Sequence, residues 1–364
     1  MTLRVGLIGT SWWADAMYLP ALANHPDGRI TAICGRDPGR TRERAELWGI
    51  ARWTTDWRSM IESEDLDAVI VASGNDSHYE IASAAISRGL HLLCEKPITR
   101  TVAEATELAD RAETAGLITM VPFTYRWMPT NLWIKQLIDN GYVGTPRHVN
   151  MRYYAGYARD GGYAWRFDRQ LAGAGVVGDL GSHWLHLARW WLGEVTEIGA
   201  VTTNFVDRPA RPDGSSYEQA EDSALITVRF ASGAYGSLQV SAVCWEGTPF
   251  GQTHHVEIHG TDGTLYSHND WDTVQEVRGV KAGAPGPAAA LAMPDELWGT
   301  LRRSPVGDTY RDVFRTTEAM SRGWVSAIAG GETSEPDLRE GERVQVLVEA
   351  AIASAAEGGR MLPV

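Results

Sequence analysis

An apolar run that ends on a glycine and passes straight into a helical pattern constrains this chain more than any other feature. Val5-Gly6-Leu7-Ile8 leads through Gly9-Thr10-Ser11 into Trp12-Trp13-Ala14. Similar short apolar runs recur through the first third, at residues 3–8, 30–34, 68–71, 90–94 and 118–121. Each is apolar on successive positions, the pattern of a strand covered by helices on both faces. Residues 81–88 and 102–115, between them, carry helical spacing. This β-α-β rhythm predicts a Rossmann-type, doubly wound parallel sheet over residues 1–122.

The pattern changes beyond Pro122. A helix is expected over 129–139, stopped by Asn140-Gly141. Strands are expected over 148–154, 197–205, 222–230, 235–243, 254–259 and 264–268, several parted by turns such as Ser232-Gly233 and Asp262-Gly263. Few crossover helices separate them. Residues 123–364 are therefore read as a second, α+β domain with an open, mainly antiparallel sheet. Such a sheet needs cover on its second face, and a partner subunit in a homodimer or homotetramer would supply it. Loops are expected at 155–162, 208–216 and 280–287, and two helices in the tail at 310–329 and 338–356.

Composition removes several function classes. The chain has 364 residues, 44% of them hydrophobic, so two domains can each bury a core. A formal net charge of -13 with no basic stripe argues against nucleic acid and anionic membranes as partners. No stretch approaches the roughly 20 apolar residues that span a bilayer, and no secretory signal is visible. Three widely spaced cysteines give neither a disulfide framework nor a metal spacing. A soluble cytoplasmic protein is expected.

A strand, a tight glycine turn and a helix together form a phosphate cradle, because backbone N–H groups at a helix start point at an anion. Here the pattern is Gly9-x-Ser11-x-x-Ala14, with Ser11 in place of a central glycine. A strand–turn–helix without a ligand is the plainer alternative. The second strand ends at Cys34-Gly35-Arg36-Asp37, with Arg40, Arg42 and Arg44 following. An acid at that strand end would bind the ribose hydroxyls of NAD, whereas arginine suits a 2′-phosphate. The reading is NADP, with NAD as the alternative in which Asp37 holds the ribose and the arginines are a solvated helix face.

Two other segments carry proton-transfer groups. Lys96 follows an apolar strand and precedes Pro97, at the strand end where open α/β sheets bind ligands. A desolvated lysine near a cation acquires a working pKa; a surface lysine is the competing reading. Asp179 and His183, four residues apart in Gly178-Asp179-Leu180-Gly181-Ser182-His183, share one helix face. A carboxylate that orients an imidazole makes a general acid or base. A helix-capping aspartate and a core histidine stand equally on spacing alone. Adding His186 would begin a metal site, but no further ligand is visible and no metal is expected. Arg126 and Arg166 could bind substrate hydroxyls or a carboxylate, and Trp127, Trp165 and Trp184 lie near these segments. Aromatic faces suit sugar rings, although most of the fifteen tryptophans should fill core or interface.

Taken together, these residues resemble the Gfo/Idh/MocA oxidoreductases, named for glucose–fructose oxidoreductase and inositol dehydrogenase. The resemblance runs through the Gly9 turn, Ser77-His78, Cys94-Glu95-Lys96-Pro97, Tyr125-Arg126, Trp165-Arg166, Gly178 to His183, and a last helix holding Gln345, Glu349 and Ala350. It implies a Rossmann domain followed by an α/β domain that builds dimers or tetramers. It also implies hydride transfer between nicotinamide and a carbinol carbon of a sugar, cyclitol or polyol. Proton transfer would fall to Lys96, Asp179 and His183, gathered beside the nicotinamide ring. Cofactor contacts would fall on Gly9, Thr10, Ser11, Trp12, Trp13, Arg36, Ser73, Asn75, His78, Glu95 and Lys96. Substrate contacts would come from Lys96, Arg126, Trp165, Arg166, Asp179 and His183. Two positions depart from the family pattern: Ser11, and His186 where many members carry aspartate. Two other functions stay open on this fold: a non-catalytic dinucleotide-binding sensor, and redox-assisted glycoside cleavage or epimerisation with a recycled cofactor.

Overall fold

The computed structural model describes residues 2–247 and 251–364. The chain forms two compact units, one of Met1–Phe123 with Arg311–Gln345 and one of Thr124–Tyr310 with Val346–Val364.

The first unit is built on a six-stranded parallel sheet: β1 Leu3–Ile8, β2 Gly28–Cys34, β3 Arg52–Thr54, β4 Ala68–Val71, β5 His91–Cys94 and β6 Thr119–Met120. Their order is β3-β2-β1-β4-β5-β6. The order reverses between β1 and β4, the place where such sheets leave a crevice at their carboxyl ends. All four residues of β4 are fully buried, as the unbroken apolar run requires. Helices Pro38–Trp48, Trp57–Ser63, Asn75–Ser87 and Val102–Thr114 make the crossovers. Asp37, Asp56 and Thr101 cap three of these helices with side-chain oxygens. The short, mostly exposed β3 gave no apolar signal in the sequence.

Residues Arg311–Gln345 belong to this unit and not to the segment that follows residue 123. Hydrogen bonds explain why. Arg322 donates to the Ala21 carbonyl (2.8 Å), Trp324 Nε1 to the Ile118 carbonyl (3.1 Å), and the Val121 amide to the Pro336 carbonyl (2.8 Å). The segment thus covers edge strand β6, whose amide and carbonyl groups would otherwise be open. The single helix expected over 310–329 is two, Val306–Thr316 and Ser321–Gly330. Met320, between them, has φ +51°, a conformation no α-helix contains.

Among the described residues the second unit has a nine-stranded sheet: β7 Pro146–Ala155, β8 Val195–Thr203, β9 Ser223–Phe230, β10 Tyr235–Ser241, β11 Gln252–Gly260, β12 Gly263–Asp270, β13 Gln275–Lys281, β14 Ala289–Ala290 and β15 Leu362–Pro363. The order is β14-β13-β12-β11-β7-β10-β9-β8-β15. The β10–β7 pair is parallel, and the other pairs are antiparallel. β13 occupies part of the stretch expected as loop, because its Arg278 and Lys281 break the apolar signal. In β9 burial alternates residue by residue. One face is covered by the helix Ser182–Leu192, ten of whose eleven residues are buried. The other face carries Val201, Leu225 and Tyr235, all well exposed.

Candidate active site

In the first unit the functional residues arise from strand ends that the backbone pins together. Beyond the strands the ladder continues: the Gly9 amide donates to Cys34 (2.8 Å), Ala72 to Ile8 (2.7 Å) and Glu95 to Val71 (2.9 Å). The Gly9 turn, the Ser73–Asn75 turn and Glu95-Lys96 therefore share one sheet edge. Gly9 has φ +127°, and a Cβ there would stand 2.2 Å from the Ala72 carbonyl oxygen. Only glycine passes so close to a neighbouring strand. A Cβ at Gly35 would likewise meet Thr10 Oγ1 and Thr41 Oγ1 at 2.5 Å. The two glycines keep bare backbone at this edge. The helical segment that begins at Trp12 then directs its first amides toward the turn, the arrangement that holds a phosphate. The residues present thus fit a dinucleotide, with Ser11 adding a small hydroxyl residue at the turn.

Glu95 is fixed by this helix. Trp13 Nε1 and the Tyr18 hydroxyl both donate to Oε1, at 2.6 and 2.5 Å, and the Lys96 amide donates to Oε2 at 3.2 Å. Loss of water pushes the Glu95 carboxyl up, while Tyr18, the Lys96 charge and Trp13 pull it back. Tyr18, wholly buried, was not singled out by the sequence. Its phenol is raised well above 10 by burial and by the Glu95 charge, so it remains a donor. His78 is buried, its Nδ1 2.9 Å from the Pro97 carbonyl and its Nε2 3.3 Å from that of Ser73. Burial lowers its pKa, and the neutral ring, with one N–H, donates to one of these two carbonyls. Trp12, in contrast, is 68% exposed and stands edge-on to Trp13.

The strand end expected to read the ribose is also resolved. Asp37 Oδ1 accepts from the Arg40 amide (2.9 Å) as the cap of helix Pro38–Trp48. Arg42 pairs with Glu46 (2.7 Å) and Arg44 with Asp15 (2.7 Å). Arg36 and Arg40 are exposed.

In the second unit Asp179 lies in a π-helical turn, Val177–Gly181, that leads into helix Ser182–Leu192. Such turns recur at functional sites. The turn is held from beneath by Glu221, whose Oε1 accepts from the amides of Gly175 (2.8 Å) and Val177 (3.1 Å), with Arg169 3.2 Å from Oε2. Asp179 Oδ2 accepts from the Tyr157 hydroxyl at 2.6 Å and faces Arg166 Nε at 3.5 Å. His183 is buried one helical step on, its ring 4.6 Å from that of Tyr125. Tyr125 bonds the Tyr153 hydroxyl (2.6 Å) and accepts from Gln252 (3.1 Å). Burial pushes the Tyr125 phenol above its ordinary range. His186 is buried in the same helix. Among the described residues no three metal-ligating side chains cluster.

Arg166 lies 4.7 Å over the Trp165 ring, and Arg126 4.8 Å over that of Trp190. Arg166 is therefore brought to Asp179, while Arg126 rests on the outer end of the helix that bears His183. Tyr157 and Glu221 escaped the sequence reading. Neither has a spacing relation to Asp179, and a tyrosine in the glycine-bearing segment 155–162 was the faint available signal.

Family models match both units: "Oxidoreductase family, NAD-binding Rossmann fold" over residues 3–123, and "GFO/IDH/MocA C-terminal domain" over residues 132–266. The chain belongs to the Gfo/Idh/MocA family. It is an oxidoreductase with an NAD-binding Rossmann fold. Levoglucosan dehydrogenase of Pseudarthrobacter phenanthrenivorans is 28% identical, with 98% of this chain and 96% of that protein covered. D-Apiose dehydrogenase of Paraburkholderia graminis is also 28% identical, with 97% and 87% covered. The solved levoglucosan dehydrogenase complex with NADH and L-sorbose superposes with a TM-score of 0.88 at 27% identity, covering 100% of this chain and 99% of that one. No helix among the described residues is long and apolar enough to cross a membrane.

Proposed function

We propose that this oxidoreductase moves a hydride between a nicotinamide dinucleotide and a hydroxyl/carbonyl carbon of a sugar, cyclitol or related polyol. The supporting observation is the shared sheet edge at Gly9, Ser73 and Glu95-Lys96, in a chain whose second unit presents Asp179 before a buried His183. The named substrates of the relatives support the sugar class. Gly9, Thr10, Ser11, Trp12, Trp13, Ser73, Asn75, His78 and Glu95 would hold the dinucleotide, which when bound accepts or gives hydride at the nicotinamide. Lys96 and His183 move the hydroxyl proton. Asp179 orients and charge-stabilises the imidazole. Trp165, Arg166 and Arg126 contribute to substrate binding.

NADP is the proposed preference. With Asp37 used as a helix cap and Arg42 and Arg44 in ion pairs, Arg36 and Arg40 suit a 2′-phosphate. A second copy of the chain is the proposed cover for the exposed face around Leu225, in a homodimer or homotetramer. That face also carries Arg152 and Glu257, opposite charges that a two-fold arrangement can match.

Lys96→Ala tests the assignment. Loss of a general acid–base group costs about 100- to 10,000-fold in rate. The variant should lose that much kcat on a polyol and keto-sugar panel, while binding the reduced dinucleotide as before by nicotinamide fluorescence. A variant with unchanged kcat would overturn the role of Lys96. Absence of net nicotinamide reduction or oxidation across the panel would overturn the dehydrogenase reading itself.

A further inference from the structure

Tyr157 stands out among the side chains that the expected chemistry does not use. It lies beyond the end of β7, 22 residues before Asp179, in a segment whose sequence signal is faint. Its ring is 51% exposed and stacks loosely on Phe167, with ring centroids 6.3 Å apart. Burial of that ring therefore adds little to the fold. The Asp179 side chain is itself 22% exposed, so water could satisfy it without the tyrosine. Yet the hydroxyl donates to the carboxylate at 2.6 Å, the length of a charge-assisted bond. Arg166 Nε approaches the same oxygen, Oδ2, from the Trp165–Phe167 turn. A hydroxyl donor and an ion pair on the same oxygen restrain the carboxylate and favour its anionic form.

We propose that Tyr157 is a positioning residue that orients Asp179 and keeps it anionic, so that Asp179 remains the charged partner of His183. The inference rests on the functional reading above, which gives Asp179 and His183 their roles. Loss of water at the hydroxyl, although the ring is half-exposed, then the Asp179 charge and the bond to it raise the phenol well above 10, and Arg166 and Arg208 oppose the rise. Tyr157 therefore donates throughout the working range and cannot act as a base. Other titratable groups face this carboxylate as well. Tyr153 on β7 and Tyr125 in the Thr124–Trp127 turn both feel its charge and remain protonated.

The test compares Tyr157→Phe with Asp179→Asn and the parent enzyme, in kcat and kcat/KM against pH. Tyr157→Phe keeps the ring, so its thermal midpoint should match the parent's. Without the donor the carboxylate protonates at higher pH. The acidic limb of kcat should move up by about one pH unit, and kcat at neutral pH should fall about tenfold or more with little change in KM, as loss of a bond to a charged group implies. A Tyr157→Phe enzyme with the parent's kcat and acidic limb, beside an impaired Asp179→Asn, overturns the role of Tyr157 alone. An Asp179→Asn enzyme with parental kcat overturns the functional reading beneath it.

Discussion

The two sheets of this molecule use the same kind of residue in different ways. In the Rossmann unit both faces are covered, β4 is entirely buried, and the candidate cofactor residues stand on backbone turns at the strand ends. In the second unit one face is covered and the other is open. The candidate site residues there are side chains that distant segments bring together, Tyr157, Arg166 and Asp179. A site made of backbone is specified by where glycine stands. A site made of side chains is specified by tertiary packing. Substitutions should therefore act sterically in the first unit and electrostatically in the second.

Gly9→Ala is the harshest way to break that contrast. The added methyl would meet the Ala72 carbonyl oxygen at 2.2 Å, in a backbone conformation with φ +127° that side chains avoid. Strain and overpacking each cost about 1–3 kcal/mol, so a loss of about 2–6 kcal/mol is expected. Thermal unfolding should show it, together with loss of dinucleotide binding. Gly233 in the second unit also has positive φ, at +86°, but a Cβ there meets nothing within 4 Å. Gly233→Ala should cost no more than about 1–2 kcal/mol and leave binding intact. Equal effects at the two glycines would remove the basis for treating the Gly9 turn as a cradle.

The open face offers the next test. Leu225→Arg places a charge on an exposed β9 position and leaves the covered face untouched. An isologous interface carries the change twice. Burial of one leucine is worth about 1.5–3 kcal/mol, so the dissociation constant should rise at least a hundredfold or so. Sedimentation velocity would read it. An unchanged sedimentation profile would overturn the proposal that a second copy covers this face. The same face has an acid limit. His255, stacked on His268 at 4.4 Å, has its pKa pushed down to about 4 by burial, Arg152 and His268. The unfolded chain takes up that proton near pH 6.5 and the folded one resists it. Stability should therefore be complete above about 6.5 and fall as pH drops toward 4.

The difference between the units also explains what could be read in advance. Both Leu3–Ile8 and Ala68–Val71 have the ends that their apolar runs indicate, because a strand buried on both faces carries its whole signal locally. Lys96 and Gly9 were legible for the same reason, since a strand end fixes their place. β3 and β13 were not, being short or interrupted by charge. The cover of β6 by Arg311–Gln345 was equally invisible, because a hydrogen bond from Trp324 to Ile118 leaves no periodic trace. Asp179 and His183 could be picked out by spacing, but their surroundings could not. Glu221 reaches the Val177 turn from 44 residues away, and Tyr157 reaches Asp179 from a loop. Neither relation is periodic, so neither can be deduced from a single chain.

The subtlest expected effect lies in the unit whose architecture is the more legible. Arg36 follows β2, exposed, beside a Gly35 that lacks room for any side chain. A phosphate contact from one exposed arginine at a helix start is a modest electrostatic term, about 1–2 kcal/mol after screening. Arg36→Ala should therefore weaken NADP binding about five- to thirtyfold and leave NAD binding nearly unchanged, with the effect shrinking as salt rises. Dinucleotide titration at two ionic strengths measures both. Equal losses for NADP and NAD would make Arg36 a general contact. In that case Asp37 would have to leave its place on the Arg40 amide to meet a ribose, and helix Pro38–Trp48 would lose its cap on cofactor binding. A free-enzyme stability that is insensitive to Asp37→Ala would favour that second arrangement, because a working cap is worth about 1 kcal/mol.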